Sequence, residues 1–393
     1  MNGSLLHERL KKQLGRWPCT LLGVGVVSEV CVDAAIELAN EHDVDLMLVA
    51  SRRQVDTDAL GSGYVCGWNA ERLAAHVRAR DAKGRVLLCR DHGGPWQNTE
   101  EIKRGMSVAE AMASAKSSYE EDIAAGFAVI HLDPSVAPGA APDLETVLDR
   151  LFSLYDFCWD TAQRHSREIV FEVGAEEQDS VSHSLNDLTE LLDRLNRFCG
   201  DQGLPSPTFI VVQTGTKVME TRNIGSLDSP YRIDDQFPTE IYIPRVIQSL
   251  SRFGILLKQH NTDYLSDEVL RWHPWLGIHS ANVAPEFGVA ESRALVHILE
   301  ANRLPQLRDT FLEMAYGCHK WEKWMLPGSR ASDRERAVIA GHYVFSTPGF
   351  HELKADARRA LAGAGVDLDA YLKSRVKQAI MRYMTCFRLV MEP

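Results

Sequence analysis

The chain has 393 residues, 45% hydrophobic and 25% charged, with a formal net charge of −11 at pH 7. That length buries a large core, as one α/β domain with additions or as two domains. The acidic balance argues against a nucleic-acid partner, which needs a clustered basic surface.

Eight scattered cysteines without a CxxC pair point to reduced thiols in a cytoplasmic protein, not to a disulfide framework or a structural zinc module. The segment MNGSLLHERLKKQLG is amphipathic and lacks a signal-peptide h-region. No apolar run approaches the ~20 residues of a membrane-spanning helix, so no membrane partner is expected.

From Cys19 onward, short apolar runs alternate with longer segments. In chain order the runs are CTLLGVGVV (19–27), DLMLVAS (45–51), RVLLCRD (85–91), AVIHLD (128–133), EIVFEVG (168–174), TFIVVQT (208–214), GILLKQH (254–260) and GIHSANV (277–283). Continuous rather than alternating apolarity marks strands covered on both faces, as in a parallel sheet. Intervening segments such as VSEVCVDAAIELANEH and ETVLDRLFSLYDFCWDTAQRH space apolar residues by three and four, as crossover helices do. Eight such units predict an α/β fold, a TIM (β/α)8 barrel, over residues 1–302. An open doubly wound sheet is the alternative, but GVGVVS lacks the third glycine of the dinucleotide fingerprint. Residues 303–393 keep helical spacing without strands and predict a helical C-terminal extension packed on the barrel or on a partner chain. The loop at 215–240 is long and polar, the character of a functional lid.

Barrel enzymes place their chemistry at the C-terminal ends of strands. The third run ends in Asp91-His92, the fourth in His131 and Asp133, the fifth in Glu172 and the sixth in Gln213; the seventh ends in His260, followed by Asp263, and the eighth in Asn282. One ionisable strand end is usually a turn-former. Several on one rim point to a site. His92 and His260, with His131 or Glu172, have the donor types of a divalent-metal site. An open coordination position there would polarise a sugar carbonyl or enediolate oxygen, and Asp91, Asp133 or Asp263 would move protons at the adjacent carbon. This is equipment for aldol cleavage, epimerisation or isomerisation of a ketose. Arg52 and Arg53 are placed to pair with an anionic group, and Gln213 and Asn282 to meet substrate. The eighth unit runs straight from strand to helix, which predicts a phosphate on its backbone N–H groups.

These motifs resemble the class II tagatose-1,6-bisphosphate aldolase accessory-subunit family, the large partner of a smaller zinc aldolase. The resemblance rests on GSGYVCGWNAERL (61–73), DHGGPWQN (91–98), AGFAVIHLDPS (125–135), IVVQTG (210–215) and QHNTDY (259–264). The family in turn looks distantly related to the class II zinc aldolases. That relation implies Asp91 as acid/base, His92 and His260 as metal ligands, and SANVAPE (280–286) as the counterpart of a phosphate-gripping NVATE segment. The chain departs from the family at Arg90, where relatives have Gly, at Val49, where they have Glu, and at Thr214, Lys217 and Gln259. Small and acidic groups at the mouth become basic or neutral, which implies a shifted substrate with an extra anionic group met by Arg90 and Lys217. A kinase is not expected, because no GxxxxGK[ST] or kinase signature set is present.

The leading expectation is a metal-dependent lyase or epimerase acting on a ketose phosphate or related anionic sugar. The alternative is a non-catalytic subunit that stabilises a separate class II aldolase, and a sugar-sensing binding protein is a third. The helical tail and acidic surface fit docking to such an aldolase and fit a homo-oligomer equally well, and a homo-oligomer is expected.

Overall fold

The structure, a computed structural model, describes residues 5–139, 142–174, 185–228 and 238–390. Each of the eight apolar runs forms a strand: β1 (Leu21–Gly25), β2 (Leu46–Ser51), β3 (Val86–Gly93), β4 (Val129–Leu132), β5 (Val170–Gly174), β6 (Phe209–Val211), β7 (Leu256–Gln259) and β8 (Ser280–Val283). Consecutive strands pair in parallel, and β1 closes the barrel on β8 with Leu21 opposite Ser280. The expected (β/α)8 barrel is the fold.

Helices follow the strands at spacings that polar caps set. The Ser28 side chain accepts from Cys31 N–H at the start of Glu29–His42, and Ser107 with Glu110 makes a capping box for Val108–Ala125. Ser266 caps Asp267–Leu276. Each satisfies backbone donors that a helix start leaves without partners. The sixth unit adds a short antiparallel hairpin, Val218–Met219 with Arg222–Asn223, that the apolar pattern does not announce.

The region beyond residue 302 is helical, as expected, and it packs in two ways. Phe311, Phe350, Leu353 and Leu361 form a second core against the outer face of helix Pro285–Ala301. Helix Leu368–Cys386 instead contributes Val376, Ile380, Tyr383 and Met384 to the barrel's own core. No helix among the described residues is long and apolar enough to cross a membrane.

Candidate metal centre

Neighbouring residues on a strand face opposite sides, yet both Asp91 and His92 reach the barrel mouth. The reason is a β-bulge. Arg90 pairs with Ile130 but Gly93 with Leu132, so Asp91 and His92 together oppose His131. His92 has φ +43°, a region non-glycine residues rarely adopt and often occupy at functional sites. The bulge re-aims His92 onto the same side as Asp91. Gly94 follows with φ +135°, and a Cβ there would stand 2.2 Å from the Asp133 carbonyl oxygen; the glycine lets β3 and β4 end in contact.

Three imidazoles meet at this mouth. The ring centroids of His92, His131 and His260 lie 4.9–5.3 Å apart. His260 Nδ1 and His92 Nε2 face each other at 3.3 Å. Two of the rings turn their other nitrogen onto a carboxylate. His92 Nδ1 is 2.8 Å from Asp133 Oδ2, and His260 Nε2 is 3.0 Å from Glu172 Oε1. His131 Nδ1 is 3.5 Å from Glu172 and 3.9 Å from Asp91, and also receives the His92 amide N–H at 3.1 Å. The carboxylates are anchored in turn. Gln97 and the Ser135 hydroxyl donate to Asp133, Asn282 donates to Asp91 at 3.2 Å, and buried Lys258 donates to Glu172 Oε2 at 2.6 Å.

This donor set fits a divalent ion. Two imidazole nitrogens on a tetrahedral zinc at ~2.05 Å stand roughly 3.3 Å apart, the spacing of His260 Nδ1 and His92 Nε2. His131 Nε2 is buried with no hydrogen-bond partner among the described residues. A Cβ at Gly174 would lie 2.4 Å from that nitrogen, so a glycine keeps the space beside it open. The small space beside it, bounded also by Val212, Gln213 and Asn261, is ≈ 30 Å³, above the ~10–15 Å³ that a water-sized occupant needs. Carboxylates behind metal-binding imidazoles fix ring orientation and raise ligand basicity. A second grouping, Asp91 with His131, Glu172 and His260, is also compact enough to hold an ion. It would, however, take Glu172 from Lys258 and His260.

Charge in the cluster is strongly shaped by enclosure. Burial works to raise the Asp91 carboxyl, but His92 and His260 hold it far below the usual range. Burial likewise opposes ionisation of Glu172, and Lys258 overcomes it, drawing the carboxyl down to about 2. For His92, burial disfavours the cation while Asp91 and Asp133 favour it, leaving it at about 9. A divalent ion held there would compete with the proton on His92.

Other predicted residues lie elsewhere. Arg90 is buried and alternates to the outside of the barrel, where its guanidinium forks onto Asp122 at 2.6 and 2.7 Å and donates to the Ala50 and Val55 carbonyls. Arg52 is equally enclosed, bridging Asp56 and Glu101 and donating to the Gly94 carbonyl. Both expected ligand contacts give way to internal ion pairs that brace the β2 and β3 loops. Arg53 and Lys217 are exposed on loops outside the small cavity. Gln213 lines the cavity, its side-chain oxygen accepting from the Gly215 and Thr216 amides at 3.2 Å.

Asp263 also stands apart from the imidazoles. Its Oδ1 accepts the Ala284 and Glu286 amides at 3.0 and 2.8 Å, filling the backbone seat where a phosphate was expected. Burial and the nearby Glu286 carboxylate push it up to about 7. The helix start is thus capped by the chain's own acid. Lys258, Gly174 and Gln97 were missed; only the lysine, lodged within an apolar strand run, carried a visible sequence signal.

The D-tagatose-1,6-bisphosphate aldolase subunit GatZ/KbaZ-like family matches residues 6–178. Over β1 to β5 the chain resembles that family. The GatZ/KbaZ-like match includes Asp91, His92, His131, Asp133 and Glu172, while His260 lies beyond it. Solved structures extend the likeness in fold. A probable tagatose 6 phosphate kinase from Sinorhizobium meliloti 1021 aligns at TM-score 0.73 and 17% identity, covering 93% of this chain and 100% of its own. The fructuronate-tagaturonate epimerase UxaE from Cohnella laeviribosi, complexed with glycerol, aligns at TM-score 0.57 and 12% identity, covering 97% and 86%. The GatZ/KbaZ-like match supports a place in carbohydrate metabolism.

Proposed function

We propose that this chain is a divalent-metal-dependent barrel enzyme of aldolase or epimerase type, acting on a ketose phosphate or a related anionic sugar. The observation that carries the reading is the trio His92, His131 and His260 around one small cavity, with Asp133 behind His92 and Glu172 behind His260. Zinc is the expected ion, held by those three imidazoles, and when bound it supplies a Lewis acid for a carbonyl or enediolate oxygen.

The chain's own groups divide the remaining work. Asp133 is saturated by His92, Gln97 and Ser135, so it orients His92. Asp263 is committed to the helix start. Asp91 remains as the group to take and return a proton: it is held as the anion, is less buried than Asp133 or Glu172, and is steadied by Asn282. Glu172, fixed by Lys258, sets the His260 ring.

Metal content of the purified protein tests this reading, together with turnover of phosphorylated and acidic ketoses. The protein should hold one divalent ion per chain and lose it in the His92→Ala/His260→Ala variant. A metal-free protein whose ligand binding ignores both substitutions would overturn the reading. If such a protein also lengthened the half-life of a separate class II aldolase on mixing, it would be that enzyme's stabilising subunit.

A further inference from the structure

A second cavity, of about 890 Å³, opens on the flank of helix Pro285–Ala301 and shares no lining residue with the metal centre. Its walls come from three places. Arg222 belongs to the hairpin after β6, Arg293 and His297 to the helix, Arg330 to the loop ahead of helix Asp333–Ala340, and Arg334 to the first turn of that helix. In a chain of net charge −11, such a gathering of guanidinium groups calls for an explanation.

Internal ion pairing accounts for two of the four, Arg222 and Arg334. The three carboxylates on the cavity wall are already occupied. Glu220 accepts from Arg222 at 2.9 Å. Glu300 takes both Arg334 nitrogens at 2.6 and 3.0 Å and also Arg308 at 3.3 Å. Glu335 closes the capping box with the Ser332 amide and hydroxyl, both at 2.7 Å. Among the described residues, no hydrogen bond or ion pair engages the guanidinium of Arg293 or Arg330, though both border the cavity. Arginine presents a planar fork suited to two oxygens of one phosphate. The floor is apolar, with Val296, Val338 and Ile339, which suits the less polar face of a sugar or base. The volume lies within the range of metabolite pockets.

We propose that this cavity is a second ligand site, for a small phosphorylated metabolite whose phosphate pairs with Arg293 and Arg330. The hairpin that carries Arg222 ties this cavity to the loop after His260. The hairpin's Glu220 amide donates to the Trp324 carbonyl at 2.7 Å on the C-terminal side. On the other side its Asn223 amide group donates to the Asn261 and Asp263 carbonyls at 2.9 and 3.0 Å. An occupant would therefore bear on the loop that follows His260.

Calorimetric titration of the full chain with inorganic phosphate, after dialysis against a chelator and at low ionic strength, tests the proposal. One phosphate should bind per chain, more weakly as salt is added. Arg293→Gln/Arg330→Gln should weaken binding by at least about tenfold, the loss expected for charged hydrogen bonds. The control Arg359→Gln/Arg375→Gln, with the same charge change on exposed helix faces, should leave it unaltered. Arg330→Gln alone, in an exposed loop, serves if the double variant does not fold. Absence of saturable binding to the wild type, or equal weakening in the control, would overturn the site. His92→Ala/His260→Ala should still bind phosphate, and loss there would assign the anion to the metal centre instead.

Discussion

Substitution Gly174→Ala probes the metal centre without removing any ligand. The added methyl group would lie 2.4 Å from His131 Nε2 and 3.2 Å from its Cε1, whereas ordinary contact begins at 3.4 Å. The ring nitrogen must therefore retreat by about 1 Å, the difference between 3.4 and 2.4 Å. Metal–ligand distances hold to within about ±0.2 Å, so a shift of that size removes His131 from the coordination shell. Zinc affinity should fall at least ~100-fold, beyond the range for loss of an outer-shell partner. The crowding itself should cost about 1–3 kcal/mol of stability. Competition against a chromophoric zinc chelator reads the first effect and urea unfolding of the metal-free protein the second. Gly200→Ala, in helix Leu185–Gln202 with nothing within 4 Å, is the matched control and should gain roughly 0.5–1 kcal/mol. If Gly174→Ala binds zinc as tightly as the wild type, His131 is not a ligand.

Three further predictions follow from buried charge. Lys258→Met leaves Glu172 enclosed without its cation and should cost about 3–5 kcal/mol; adding Glu172→Gln should restore much of it, and chemical denaturation measures both. Arg90→Met should cost a similar ~3–5 kcal/mol by stranding Asp122, yet leave metal affinity unaltered, since the arginine faces away from the mouth. Glu291, buried and bonded to Ser28, is raised by that burial from 4.5 to about 7. Its protonated form is the one the fold favours, so the stability it contributes is complete below pH ~4.5 and lost as pH rises through ~7, a change of about 3 kcal/mol. Urea melts at pH 5 and pH 8 should show that drop in the wild type and not in Glu291→Gln.

The barrel was legible because two-sided burial writes itself as eight uninterrupted apolar runs, and every one became a strand. The imidazoles and carboxylates were legible for the related reason that strand ends are few and their order fixes the rim. What sequence spacing conceals is direction. Arg90 sits beside Asp91 in the chain, but strand alternation sends it outward to Asp122, while a one-residue bulge brings His92 inward. The Asp263 position follows from a turn whose backbone bends the acid back to Ala284 and Glu286, a local geometry that an HNTD string does not encode. Gly174 was invisible because its contribution is an absent side chain, recognisable only once His131 stands next to it.

The final long helix has a consequence for how the protein is made. Its Tyr383 hydroxyl donates to Glu286 and receives the Tyr264 amide, and Phe387 offers its carbonyl to Thr20, just ahead of β1. The rim around β7 and β8 and the base of β1 are thus secured by residues synthesised after all eight strands. A nascent chain released from the ribosome only as far as β8 would hold a closed set of strands with an open apolar flank. Such long-range closure is slow and leaves sticky intermediates, so chaperone demand should peak between emergence of β8 and emergence of this helix.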